Sequence, residues 1–158
     1  MQVTEAIRGS GDIDIAAQIW AEATAARDGD GDVADLSVSR PVIEAVLARS
    51  AQSFVLIAYA DAASAAGFAA VEPAGERRAQ VSYLGVRPGS WGRGVGKLLL
   101  SEAESRLAAT GYQSAELSVY VDNARAVALY ERLGWQPLGG PAPHPSTGKP
   151  EQRYELRL

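Results

Sequence analysis

The chain is 158 residues long, with 47% apolar and 22% charged side chains. That size and balance suit one globular domain, residues 1–158, with a buried core. Its 15 Lys and Arg against 19 Asp and Glu leave a formal net charge of −4, which argues against nucleic acid or an anionic membrane as partner, since both recruit basic surfaces. There is no Cys and one His, so disulfide scaffolds, thiolate metal sites and cysteine nucleophiles are excluded, and any Ser–His–Asp triad or His-based metal site would rest on His144 alone.

Residues 1–10 contain Glu5 and no apolar run, so no signal peptide is expected. No segment offers the roughly 18 apolar residues of a membrane span, and cytoplasm is the expected compartment. Residues 2–8 alternate weakly and predict an edge strand. Residues 12–27, rich in Ala with Ile13, Ile15, Ile19 and Trp20, predict a helix, and 28–32 a Gly/Asp loop. Asp28, Asp30 and Asp32 lack the Gly and the twelfth-position Glu of a calcium loop, with Val33 and Ser39 in those places, so a solvated loop is expected. Residues 41–49 predict a short helix with Pro41 at its start, where a missing N–H costs little.

The apolar run 53–60 predicts a buried strand, 61–64 a turn and 66–72 a second strand, together an antiparallel hairpin. Another strand is expected over 80–86, a glycine-rich turn over 88–96, and a helix over 95–110 stopped by Gly111. In that helix Leu99, Ala103 and Leu107 share a face. Residues 115–121 alternate, with Leu117, Val119 and Val121 on one side and Glu116, Ser118 and Tyr120 on the other. A helix over 123–133 ends at Gly134, a Pro/Gly loop fills 139–150, and 153–158 alternate again. The sum is a mixed α+β fold around a central sheet.

The segment Val86-Arg87-Pro88-Gly89-Ser90-Trp91-Gly92-Arg93-Gly94-Val95-Gly96-Lys97 carries the chemistry. Alternate glycines let the main chain approach a ligand and take positive φ. Amides at a helix start converge on one point, where the helix dipole favours an anion. Arg93 and Lys97 add cationic donors. A phosphate or diphosphate is the natural guest; a plain tight turn is the competing reading. The Walker A pattern fails because Leu98 follows Gly96-Lys97 and Trp91 stands where its first Gly belongs. The G-x-G-x-x-G fingerprint begun at Gly92 meets Lys97 instead of Gly.

Further along comes Asn123-x-x-Ala126-x-x-Leu129-Tyr130-x-x-x-Gly134-Trp135. The two motifs together resemble the GNAT superfamily of N-acetyltransferases. Val86-x-Pro88, Gly94, Gly96, Leu98 and Leu99 match the family's strand-to-helix turn, and every quoted residue of the second segment matches its second helix. The turn departs at its head, where Trp91 replaces the usual Gln or Arg; Arg93 is the expected substitute. The matched motifs span roughly residues 79–135.

The resemblance implies a mixed, mostly antiparallel sheet in which the strands at 80–86 and 115–121 run parallel and splay apart, flanked by helices. Acetyl-coenzyme A, with no metal, would lie in the gap. Its pantetheine would pair with Leu84, Gly85 and Val86, and its diphosphate would sit on Gly92, Arg93, Gly94, Val95, Gly96 and Lys97. An N–H near Leu84 would polarise the thioester carbonyl, a kind of donor worth roughly 10²–10³ in rate. Asn123 and Ala126 would contact the cofactor, although Asn123 also reads simply as an N-cap. Tyr130 would protonate the leaving thiolate, or else be a half-buried core tyrosine.

The acceptor is expected to be a small-molecule amine or a peptide. A lysine-like amine of pKa about 10.4 is neutral in only about one molecule in 10³ at pH 7, a cost of roughly 4–5 kcal/mol. Glu72 and Glu22 are candidate bases, with a solvated carboxylate the plainer reading of each. Tyr83 and Tyr120 are candidate acceptor-pocket residues or packing residues, and His144 reads as a surface-loop His. A peptide N-terminal acetyltransferase and a non-catalytic acyl-coenzyme A binding module remain alternatives. The oligomeric state stays open, a homodimer included.

Overall fold

A computed structural model describes residues 1–158. Eight strands, β1 Gln2–Glu5, β2 Phe54–Asp61, β3 Ser64–Gly75, β4 Arg78–Val86, β5 Ser114–Tyr120, β6 Gln136–Pro137, β7 Ala142–Pro143 and β8 Pro150–Arg157, form one sheet in the order β1-β2-β3-β4-β5-β8-β6, with β7 also on β8. Every pairing is antiparallel except β4 with β5. The expected mixed fold with one parallel pair is therefore present.

Four helices cover the sheet: α1 Gly11–Asp28, α2 Leu36–Arg49, α3 Val95–Ala109 and α4 Ala124–Arg132. Ser10 caps α1 by accepting from the Asp12 amide at 3.1 Å, which satisfies one orphan donor of the first turn. Helices α1 and α2 bury Ile13, Ile19 and Ile43 against Val55, Ile57 and Phe68 on one sheet face. On the other face Leu99, Leu100 and Leu107 of α3 meet Leu56, Val71, Val81, Leu117 and Trp135. Strand β2 sends Val55 and Ile57 to one core and Leu56 and Ala58 to the other, so a strand covered on both sides reads as an unbroken apolar run.

The structure corrects several sequence boundaries. Helix α2 begins at Leu36 rather than residue 41, leaving Pro41 inside it. Its first turn is tied down by the Asp35 carbonyl, which accepts from Val38 and Ser39 at 2.9 and 3.0 Å. Buried Ser39, Ile43, Val46 and Leu47 then supply one helical stripe, and that packing outweighs the hydrogen bond Pro41 cannot make. Val121 lies past the end of β5 and is exposed, whereas Leu117 and Val119 are buried as the alternation predicts. Residues 139–150 are not all loop: Ala142–Pro143 forms the two-residue strand β7, and Pro150 opens β8.

Candidate active site

Strands β4 and β5 pair only over Arg78–Gln80 with Ser114–Glu116, although β4 continues to Val86 and β5 to Tyr120. The reason lies in the partners. Strand β5 pairs with β8 along its whole length. Strand β4 carries an extra residue opposite β3, since Ala70 faces Tyr83 and the next partner, Val71, faces Val81. This bulge at Ser82 puts Val81 and Tyr83 against opposite cores, where a regular strand would put them together. A bulge also bends and twists its strand, and the bend falls just where pairing with β5 ends.

The freed edge has a defined polarity. The Arg87 amide donates to Ala66 O at 2.8 Å. In an antiparallel ladder such pairs alternate, so the N–H and C=O of Val86 and Leu84 point away from β3, into the gap. Trp91 Nε1 donates to Val86 O at 2.9 Å.

The gap is a cleft of about 580 Å³. One wall is Tyr83, Leu84, Gly85 and Val86 of β4; the opposite one is α4, with Asn123, Ala126, Leu129 and Tyr130. The turn bounds one end with Gly92, Gly94, Val95, Gly96 and Lys97. Gly92 and Gly94 have φ of 76° and 79°, the left-handed region that glycine enters freely. Gly94 caps α3 without a side chain, which leaves the first amides of a fifteen-residue helix free for an anion. A Cβ on Gly96 would lie 2.9 Å from Leu129 Cδ2, so glycine there lets α3 approach α4. The fourth boundary, a stripe of α1 formed by Trp20, Ala23, Thr24 and Arg27, follows the helical repeat.

Tyr130 is buried, its ring 6.2 Å from that of Trp135 and 6.3 Å from that of Tyr154. Burial pushes its phenol well above the ordinary tyrosine range, because the charged form would lose its hydration. Asn123 caps α4, its Oδ1 accepting from the Ala126 amide at 3.3 Å. The cleft is lined by Arg27, Lys97, Arg125 and Arg132 and by no Asp or Glu.

The structure thus gathers Tyr83, Leu84, Gly85, Val86, Gly92, Gly94, Val95, Gly96, Lys97, Asn123, Ala126 and Tyr130 around one space. Four candidates lie apart from its lining. Arg93 is exposed and outside the lining. Glu22 faces a neighbouring groove with Arg87; their atoms approach to 3.1 Å but are too misaligned for a hydrogen bond. Glu72 accepts two N–H bonds from Arg49 at 2.7 Å and an O–H bond from the Ser82 hydroxyl. Arg49, first, and Ser82 hold its carboxyl below the usual glutamate range. Tyr120 lies under Arg27 and Lys149, at 5.0 and 4.8 Å from its ring centre, and contacts Thr147 through its hydroxyl. The α1 stripe and Arg125 were missed by sequence reasoning. Trp20 at helical spacing from Ala23, Thr24 and Arg27 was the signal for the stripe, but a helix rich in alanine gives no contrast between its faces.

A parallel pair opened at one end, with main chain along it that has no strand partner and a glycine-rich helix start at its mouth, defines the architecture of an acyl-coenzyme A-binding acetyltransferase. The chain belongs to the acetyltransferase (GNAT) family, whose family model matches residues 17–135. It is 47% identical over 62 residues to the mycothiol acetyltransferase of Streptomyces scabiei, covering 39% of this chain and 20% of that protein. The chain thus spans about a fifth of that relative's length. Among solved structures, the ribosomal-protein-alanine N-acetyltransferase from Brucella melitensis superimposes with a TM-score of 0.78 at 17% identity, covering 100% of both chains. The PaiA N-acetyltransferase from Thermoplasma acidophilum, in complex with coenzyme A, does so with a TM-score of 0.75 at 18% identity, again over 100% of both. At these identities the likeness is one of fold. No helix is long and apolar enough to cross a membrane.

Proposed function

We propose that the chain moves an acetyl group from acetyl-coenzyme A to a primary amine by direct attack in a ternary complex. The observation that carries this reading is the open edge of β4, where Leu84 and Val86 turn their main-chain groups into a cleft bounded by the glycine turn and Tyr130. Val86 O already accepts from Trp91 Nε1; the remaining main-chain groups of this half-buried edge are left without a strand partner, and the two amides of pantetheine would match them. The turn amides and Lys97 would take the diphosphate. Asn123 and Ala126 open the wall that faces it.

In this reading the amine nitrogen attacks the thioester carbon, and the Leu84 N–H stabilises the oxygen as it gains charge. The C–S bond breaks, and the thiolate takes the Tyr130 proton, which solvent restores. The chain has no Cys, so a thiol acyl-enzyme has no nucleophile, in keeping with direct transfer. The excess proton of the amine leaves to water. Glu72 and Glu22 are both engaged by arginines outside the cleft lining, and the cleft offers no carboxylate of its own. Acceptors with amines of lower pKa are therefore favoured: a peptide or amino-acid α-amine near 7.7–8.0 over a lysine-like amine near 10.4. Tyr83, with its ring 6.4 Å from Trp20 and edge-on to it, would line the acceptor side, with Tyr120 farther out.

Free-thiol release from acetyl-coenzyme A, followed across small amines, amino acids and peptides, tests the reading. Release is expected with at least one acceptor class, fastest for α-amines, and rising with pH as the acceptor loses its proton. Coenzyme A binding without release on any acceptor would replace the enzyme by a binding module.

A further inference from the structure

Trp91 and Arg125 form a pair that the chemistry above does not use. Trp91 ends the short 3₁₀ turn Pro88–Ser90, and its indole N–H is fixed on Val86 O. That bond sets the plane of the ring at the mouth of the cleft. Arg125, in the first turn of α4, lies with its guanidinium carbon 4.1 Å from the centre of that ring. This is a close cation–π contact, and an indole is the best partner for one.

The charge of Arg125 is otherwise uncompensated. Arg27, Arg40, Arg49, Arg78, Arg87, Arg106 and Arg153 each pair with a carboxylate; Arg125, like Lys97 and Arg132 of the same cleft, pairs with none, and of these three it alone stacks on an aromatic ring, that of Trp91, which also lines the cleft. A stacked guanidinium keeps its edge N–H groups free and loses much of its rotamer freedom before a ligand arrives. Arg125 lines the same cleft as Lys97 and the glycines of the turn. Arg93, the cation expected from the sequence to serve this turn, is exposed like Arg125 but, unlike it, lies outside the lining.

We infer that Arg125, held on the face of Trp91, is a cofactor-binding residue that grips the diphosphate of coenzyme A, and that Trp91 is its positioning residue. The inference rests on the reading of the cleft as the coenzyme A site. Trp91 then acts twice: it fixes the last carbonyl of β4 and orients a cation borne by another helix. Turn and α4 are thereby tied together across the mouth of the gap.

Isothermal titration of coenzyme A into the wild type, Arg125→Ala, Trp91→Leu and the double variant, each shown folded by circular dichroism and by thermal unfolding, tests it. Arg125→Ala should weaken binding by about tenfold or more, as expected for a lost charge-assisted bond. The loss should shrink as salt rises from low to high, because a charge–charge contact is screened. Trp91→Leu should also weaken binding, and the double variant should bind much as Arg125→Ala does, since the two side chains act as one unit. Trp91→Phe, which keeps a ring face without the N–H, should fall between wild type and Trp91→Leu. An Arg125→Ala affinity within twofold of wild type, a loss insensitive to salt, or strict additivity of the two single changes would overturn the inference. Failure of the wild type itself to bind coenzyme A would instead remove the proposed function.

Discussion

Tyr130 sits where packing and chemistry meet. Its ring belongs to the core beside Trp135 and Tyr154, while the same residue lines the cleft. A thiol of pKa about 8.5 is already a fair leaving group, and an ordinary tyrosine near 10 is a weaker acid than the thiol it would protonate. Burial raises the Tyr130 phenol further, so it stays protonated throughout the working pH range. Tyr130→Phe keeps the ring packing and removes only the proton. Turnover should fall by about 10- to 100-fold, the low end of general-acid effects, with coenzyme A affinity unchanged by titration. The activity that remains should keep the same pH dependence below about pH 10, because the limb in that range belongs to the acceptor amine. A variant as fast as wild type would reduce Tyr130 to a packing residue.

At the scale of elements, the opening between β4 and β5 depends on two local irregularities, the bulge at Ser82 and the positive-φ turn. Gly94 has open space around its Cβ position, so a side chain there is opposed by its φ of 79° alone. A β-branched residue tolerates that region worst. Gly94→Val should move the start of α3, disperse the amides that face the anion, and weaken coenzyme A binding by about tenfold or more, a strain of roughly 1–3 kcal/mol converted at about 1.4 per decade. Gly89→Ala, at a position with neither positive φ nor a neighbour, should bind as the wild type does. Titration of both variants checks the contrast.

These elements also show what could be read from residues alone. The turn and α4 were legible because they use residue types, glycine in alternation and an Asn cap, whose backbone demands are local. The parallel splay came from family resemblance; no periodicity predicts where a ladder ends, because the end depends on β8 claiming β5 and on one extra residue in β4. The start of α2 was hidden by Pro41, whose local preference for a helix start was overridden by the stripe Ser39, Ile43, Val46 and Leu47. The Arg125–Trp91 contact joins residues on different elements, so neither position advertises it. The carboxylates Glu22 and Glu72 looked available in the sequence because their arginine partners, Arg87 and Arg49, are distant along the chain.

Across the whole molecule, the sheet separates two cores, and the ion pair of Arg49 with Glu72 fastens α2 to β3 on one side while Ser82 O–H adds the β4 bulge to the same carboxylate. The carboxyl of Glu72 titrates below its ordinary value, chiefly through the hydrogen bonds from Arg49. A depressed folded-state value means the unfolded chain takes up the proton first on acidification. The stabilisation is therefore complete above the unfolded glutamate value of about 4.3 and disappears as pH drops through the lower folded value. Glu72 is mostly shielded but Arg49 is half exposed, so solvent screening limits the pair to about 0.5–1 kcal/mol. For a chain of this size that corresponds to about 1–4 °C in Tm. Glu72→Gln should lower Tm by that amount at pH 7, and the gap from wild type should close as pH falls from about 4.3 through the depressed folded value. Asp28, hydrogen-bonded by Arg27, is also held below the usual aspartate range, so the difference between the two proteins at each pH, measured by calorimetry, isolates the contribution of Glu72. A gap that stayed constant as the acid transition is approached would show that the glutamine variant loses packing rather than charge, and that the bulge is held by the ladder alone.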